Sequence, residues 1–297
     1  MTSSNYRNTE TGANTAVLER TAPTKARHIA KCGVLTVRRE RSVYEAVAMM
    51  VKNHVSGLPV VDDKGMVGII SEKDVLRLLY DIEFLQGTVE DYMTTDVVTF
   101  DEDDNLADIC DCLAENNFRR VPILHEGQLA GIVSRADIIR TCNRTFRSHM
   151  LVKQHDRRET GPLASDIMKW GLLTVTRQTP IYEAMEILAT MNITGLPVVD
   201  NNMNLAGVIT EKDMLGLLKN ADAKSGKTED FMTEEVVSFN HNASIFDICD
   251  CLISNNFRRI PILNHGKVVG IVSRSDVIVY ILKNKSVIFG RRRTDLK

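Results

Sequence analysis

Gly68-Ile-Ile-Ser71-Glu-Lys-Asp74 recurs along this chain as Gly131-Ile-Val-Ser134-Arg-Ala-Asp137, Gly207-Val-Ile-Thr210-Glu-Lys-Asp213 and Gly270-Ile-Val-Ser273-Arg-Ser-Asp276. A pattern repeated four times settles how the chain is built before any propensity argument begins. Outside it a longer duplication appears. Asp108-Ile-Cys-Asp-Cys-Leu113 returns as Asp247-Ile-Cys-Asp-Cys-Leu252, and Asn116-Asn-Phe-Arg-Arg120 as Asn255-Asn-Phe-Arg-Arg259. Gly57-Leu-Pro-Val-Val-Asp62 returns as Gly195-Leu-Pro-Val-Val-Asp200. The chain is therefore two similar halves, each holding two weaker copies about 63 residues apart.

Each copy carries the same order of local signals. In the first, Val34-Leu-Thr-Val37 reads as a strand, and Ser42 caps a helix whose apolar positions are Val43, Val47, Met50 and Val51. Leu58–Val61 and Met66–Ile70 flank Asp62-Asp63-Lys64-Gly65, which is hairpin chemistry. A second helix runs from Glu72 to about Tyr80. The fold class is α+β, four β-α-β-β-α repeats. One such unit is too small to bury a stable core, so the units should pair. The divisions expected are 1–25, a disordered N-terminus, then repeats at 26–85, 86–142, 163–222 and 223–283. A basic linker, 143–162, separates the halves, and 284–297 form a basic tail.

Composition narrows the function. The net charge of −2 conceals +3 in residues 1–31, +3 in 141–163 and +5 in 283–297, leaving −13 for the rest. An acidic folded part repels a phosphate backbone, which argues against general nucleic-acid binding. The apolar runs fall short of the ~20 residues of a spanning helix, and no secretory leader is visible, so a cytoplasmic, membrane-free protein is expected. Six cysteines without a secretory context read as free thiols. Cys110 and Cys112, like Cys249 and Cys251, point about 200° apart on a helix and cannot share a metal. Cys110 and Cys249 instead continue apolar stripes. No metal-ligand histidine spacing, nucleophile elbow or glycine-rich phosphate loop is present, and an enzyme is not expected.

The recurring pattern bridges a strand and a helix, and two readings apply. It can be a capping box, the hydroxyl capping the helix while the acid reaches back to the cap N–H. It can also be a ligand site: the junction aims N–H groups and a positive dipole end at a phosphate, and the carboxylate can accept both hydroxyls of a ribose. All four copies use Asp where capping boxes favour Glu or Gln, so both roles can coexist.

With these motifs in register, the chain resembles four CBS (cystathionine β-synthase) domains forming two Bateman modules over residues 26–283. The Arg-Val/Ile-Pro-Ile and Gly-Leu-Pro-Val strands and the opening segments Asp91-Tyr-Met93, Asp166-Ile-Met168 and Asp230-Phe-Met232 carry the resemblance; the first copy departs from it with His28-Ile-Ala30. The count of four is most similar to stand-alone prokaryotic relatives and the γ subunit of the AMP-activated protein kinase. The resemblance implies a regulatory sensor of AMP, ADP or ATP, without a catalytic cofactor, acting on a protein partner or as a homodimer. It implies that Asp74, Asp137, Asp213 and Asp276 hold ribose, while Ser71, Ser134, Thr210 and Ser273 face phosphate. It also implies that Arg120 and Arg259 reach phosphate held by the neighbouring repeat. Lys73 and Lys212 stand beside the ribose Asp only in the first and third copies, so the clefts at Asp74 and Asp213 are expected to grip phosphate most tightly. A surface ion pair of Arg119-Arg120 with Glu115 and Glu126 is the other reading of those arginines. Val55, Phe118, Ile193 and Phe257 are either adenine walls or plain core. The alternative function is a ligand-free dimerisation scaffold.

Overall fold

The structure is a computed structural model that describes residues 24–75, 86–153, 161–191, 193–216 and 226–289. The first repeat builds β1 (Val37–Arg38), α1 (Val43–Lys52), β2 (Gly57–Asp62) and β3 (Gly65–Ser71). Ser42 caps α1 through a capping box with Glu45. The sheet order is β1-β2-β3, with β1 parallel to β2 and β2 antiparallel to β3. Pro59 is tolerated in the middle strand because β1 joins it only at Val60 and Val61, leaving the start of β2 an edge. The opening strand is shorter than Val34–Val37. The following helix is described only at Glu72–Val75; its expected remainder lies outside the described residues.

The second repeat has β4 (Phe100–Asp101), α2 (Leu106–Glu115), β5 (Arg120–His125), β6 (Gln128–Ser134) and the long α3 (Arg135–Lys153). The third has α4 (Ile181–Thr190), β7 (Gly195–Val199), β8 (Leu205–Thr210) and α5 (Glu211–Gly216), its opening strand reduced to a bridge between Val175 and Val198. The fourth has β9 (Phe239–Asn240), α6 (Ile245–Ser254), β10 (Arg259–Asn264), β11 (Lys267–Ser273), α7 (Arg274–Lys283) and the short α8 (Lys285–Ile288).

Repeats pair by exchanging their opening segments. Thr94, which opens the second repeat, bridges Ile69 of the first, and Lys31, which opens the first, bridges Ile132 of the second. Lys169 with Ile271 and Thr233 with Val208 repeat the exchange in the other half. This crossing explains the glycine of the recurring pattern. A Cβ on Gly68 would stand 2.8 Å from the Thr94 carbonyl, and one on Gly207 would stand 2.8 Å from that of Thr233. The methionines Met93, Met232 and Met168 pack over Gly68, Gly207 and Gly270, and Ala30 takes that place over Gly131. The divergent segment of the first repeat therefore forms the same turn and crossing as the others.

The halves are joined asymmetrically. The second and fourth repeats share one core in which Leu106, Ile109, Leu113 and Ile139 meet Ile245, Ile248, Leu252 and Ile278. The first and third keep separate cores around Met50 and Leu188. Cys110 and Cys249 lie in the shared core, and burial pushes both thiols up to about 12.

Two expectations need correction. The segment read as a linker is helical through Lys153, where α3 continues; Asn143 and Arg147 there hold Asp250 on α6, with distances of 2.7 and 2.9 Å. Residues 154–160 lie outside the described set. The segment read as a tail begins as α8, whose Ile288 is fully buried in the shared core; the triple arginine 291–293 lies outside the described residues. Residues 1–23 of the segment read as disordered also lie outside them, while Thr24 accepts the N–H of Leu106 and Lys25 bridges Asn105. Among the described residues no helix is long and apolar enough to cross a membrane.

Candidate nucleotide clefts

In all four repeats the Asp of the pattern folds back onto its own junction. Asp74 Oδ2 accepts the Ser71 N–H at 2.8 Å and the Ser71 hydroxyl at 2.7 Å. Asp213 does the same with Thr210, at 2.8 and 2.7 Å, and Asp276 with Ser273, at 2.8 and 2.6 Å. Asp137 repeats the arrangement with Ser134. The capping half of the dual reading is thus present, and it uses one carboxylate oxygen. The other oxygen differs between repeats. Asp137 Oδ1 meets Lys31 at 3.1 Å and Arg140 at 3.0 Å, and Asp276 Oδ1 meets Lys169 at 3.7 Å. Thr94 and Thr233 occupy the place of those lysines beside Asp74 and Asp213.

A cleft of about 300 Å³ holds Ser71, Lys73 and Asp74 of the first repeat together with Asn117, Phe118 and Arg120 of the second. The exposed side chain of Val98 lines it too. Sequence reading overlooked Val98, although Leu35, Leu173 and Val237 stand at the same place in the other repeats and are all exposed apolar residues. Solvent-facing aliphatics recurring at one position are the signal that could have found them.

Arg120 donates to Ser56 Oγ at 2.6 Å and Arg259 to the Gly195 carbonyl at 2.7 Å. A Cβ on Gly195 would lie 3.3 Å from Arg259 Nη1, so this glycine is the seat for the arginine of the fourth repeat. Burial pulls both guanidinium groups down to about 10, and they stay charged at neutral pH. Lys212 Nζ donates to His54 Nδ1 of the first repeat at 3.1 Å, a contact across the halves.

A second cavity, about 600 Å³, lies where all four repeats converge and is lined by ten lysine and arginine side chains against two carboxylates, Asp137 and Asp276. Val55 and Ile193 line this cavity together with Ser134 and Ser273. Phe257 packs against the shared core.

The surface ion pair expected for Arg119-Arg120 is replaced by a buried one. Arg119 donates to Glu72 at 3.3 Å and to Glu211; Arg258 donates to Glu72 at 2.7 and 3.1 Å and lies 3.9 Å from Glu211. Both glutamates are only 2% exposed. The sequence carries a trace of this: the residue after the Ser or Thr is Glu only in the odd repeats, and the Arg-Arg pair before the strand Pro occurs only in the even ones.

Four hairpin repeats, paired by exchanged openings around clefts of this kind, define a tandem ligand-cleft protein. The CBS domain family matches residues 26–81, 89–144, 164–220 and 229–283, and the chain belongs to that family. Protein MJ1225 of Methanocaldococcus jannaschii is 32% identical over 190 residues, 64% of this chain and 68% of that protein. The solved structure of MJ1225 superimposes with a TM-score of 0.75 at 19% identity, covering 86% of this chain and 99% of its own. A conserved protein from Pyrococcus horikoshii superimposes with a TM-score of 0.59 at 21% identity, with the same two coverages.

Proposed function

We propose that the protein is a non-catalytic regulatory sensor whose clefts at Asp74 and Asp213 bind an adenine nucleotide, AMP, ADP or ATP. One observation carries this reading. The Asp74 cleft brings a carboxylate with one oxygen already fixed, an ammonium (Lys73), a buried guanidinium from the neighbouring repeat (Arg120) and apolar walls (Phe118, Val98) into one concavity. Ribose hydroxyls suit the carboxylate, phosphate suits the cations and adenine suits the walls. The Asp213 cleft has the same residue types in Thr210, Lys212 and Arg259.

Occupancy reaches the rest of the molecule through shared contacts. A phosphate at Asp213 draws Lys212 away from His54, and with it one tie between the halves. Such a ligand shifts the balance between two arrangements by its difference in affinity for them, and a partner protein or a second copy reads the shift.

The alternative is a scaffold in which the clefts stay empty, and the shared core of the second and fourth repeats favours it, since that core joins the halves without any ligand. A thermal-shift series separates the two. AMP, ADP, ATP and S-adenosylmethionine are each added to the chain; a sensor gains stability with at least one in proportion to the logarithm of concentration, whereas the scaffold gains none with any.

A further inference from the structure

The four recurring aspartates have unequal neighbours. Asp137 is buried, yet its Oδ1 meets two cations, Lys31 Nζ at 3.1 Å and Arg140 Nη1 at 3.0 Å. Lys31 arrives on the crossed opening segment of the first repeat, whereas Arg140 stands three residues along α3, on the same helix face as Asp137. Both cations reach into solvent and can follow an incoming anion. By sequence no other repeat combines the two. Asp276 has Lys169 at 3.7 Å, but the exposed Val279 stands where Arg140 does. Asp213 has Thr233 and Gly216 at these places, and Asp74 has Thr94 and Arg77, the last outside the described residues.

We infer that the Asp137 cleft takes an adenosine whose ribose itself carries a phosphate, on the 2′ or the 3′ oxygen, in preference to one with a free diol. The Asp137 carboxylate holds Ser134 on one oxygen and two cations on the other, so each hydroxyl of a plain diol must break a charge-assisted contact to reach Oδ1. A sugar with one hydroxyl esterified asks for less and brings more. Its remaining hydroxyl donates to Oδ1, while its phosphate takes the guanidinium of Arg140 and the ammonium of Lys31 from the side turned to solvent. Two cations against one carboxylate leave the spot net positive, and a guanidinium pairs with phosphate through two parallel bonds. In dinucleotide-binding folds an arginine near the ribose likewise admits a 2′-phosphate. At Asp276 the single, more distant lysine leaves Oδ1 accessible, and a plain diol fits there. The inference rests on the nucleotide reading above and extends it to a cleft which that reading leaves aside.

The test is calorimetric titration of AMP, adenosine 2′,5′-bisphosphate and adenosine 3′,5′-bisphosphate into the full chain and into Arg140→Val, which gives the second repeat the residue of the fourth. One bisphosphate isomer is expected to fill a site that Arg140→Val weakens about 10- to 100-fold, the worth of one hydrogen bond between charged groups, with no such loss for AMP. The isomer that responds tells which oxygen carries the phosphate. If AMP binds but neither bisphosphate is weakened by Arg140→Val, the inference is overturned and the nucleotide reading stands. An equal loss of AMP and bisphosphate overturns it too, since Arg140 then serves the phosphate common to both. If the wild type binds no AMP, the nucleotide reading fails; a bisphosphate that still binds and responds to Arg140→Val sustains the cleft by itself, and one that does not bind ends both. Should Arg140→Val fail to fold, Val279→Arg on the exposed face of α7 decides instead, an added bisphosphate site beside Lys169 supporting the inference and none overturning it.

Discussion

Arg258 of the fourth repeat donates two hydrogen bonds, at 2.7 and 3.1 Å, to the buried carboxylate of Glu72 in the first, tying one half of the chain to the other. Arg119 shares that carboxylate from within its own half and also reaches Glu211. The two Glu and two Arg form a closed set in which every member has a partner from each half.

Removing one member of such a set leaves charges buried without compensation. Glu72→Ala is expected to destabilise the chain by about 3 kcal/mol, measured by urea denaturation. Replacing an exposed carboxylate such as Asp63, paired to Arg38 at 2.7 Å, is expected to leave the denaturation midpoint nearly unchanged, because solvent screens that pair.

The exchanged opening segments make a second prediction. Gly68→Ala places a methyl against the Thr94 carbonyl, a backbone atom that cannot step aside. A loss of about 1–3 kcal/mol is expected from such overpacking, with Gly207→Ala alike. Equal denaturation midpoints for wild type and variant would refute the crossing.

The roles of the buried arginines separate by ligand. Arg259→Met removes a charged donor to phosphate and nothing facing the sugar. AMP affinity should fall about 10- to 100-fold, the worth of one hydrogen bond to a charged group, while adenosine affinity holds. Calorimetry with both ligands reads the split, and a parallel loss of adenosine binding would assign Arg259 a merely structural part.

Acidity offers a further handle. Burial raises the pKa of Asp213, outweighing the hydrogen bonds from Thr210 that lower it. Only the ionised carboxylate accepts two hydroxyls, so the competent form disappears as pH falls through that raised value. Adenosine, which lacks a titrating phosphate, should lose affinity for this cleft above the usual Asp range of about 4. Fluorescence titration at stepped pH checks it, with Asp213→Asn expected to bind weakly and without this dependence.

The pairing of local elements was legible because it depends on neighbours in sequence. Ser42 capping α1, the Asp62–Gly65 turn and the Ser/Thr-x-x-Asp junctions all form as their residue types dictate. What escaped depends on distant partners. Lys31 and Lys169 reach Asp137 and Asp276 only because opening segments cross to the neighbouring repeat, and Glu72 meets Arg258 only because the halves pack together. Helical propensity in 143–153 is masked in the sequence by its charge, of which Arg147 meets Asp247 and Asp250 in the other half. Phe118 and Val55 could not be assigned to a cleft from sequence, because each lines the cleft of the neighbouring repeat's Asp.

The most direct test of the sensor reading is calorimetric titration of AMP into the wild-type chain and into the double variant Asp74→Ala, Asp213→Ala. Saturable binding in the wild type, with two fewer AMP held per folded double-variant chain, is the predicted result. Identical isotherms for both proteins, or no heat with either, would contradict it.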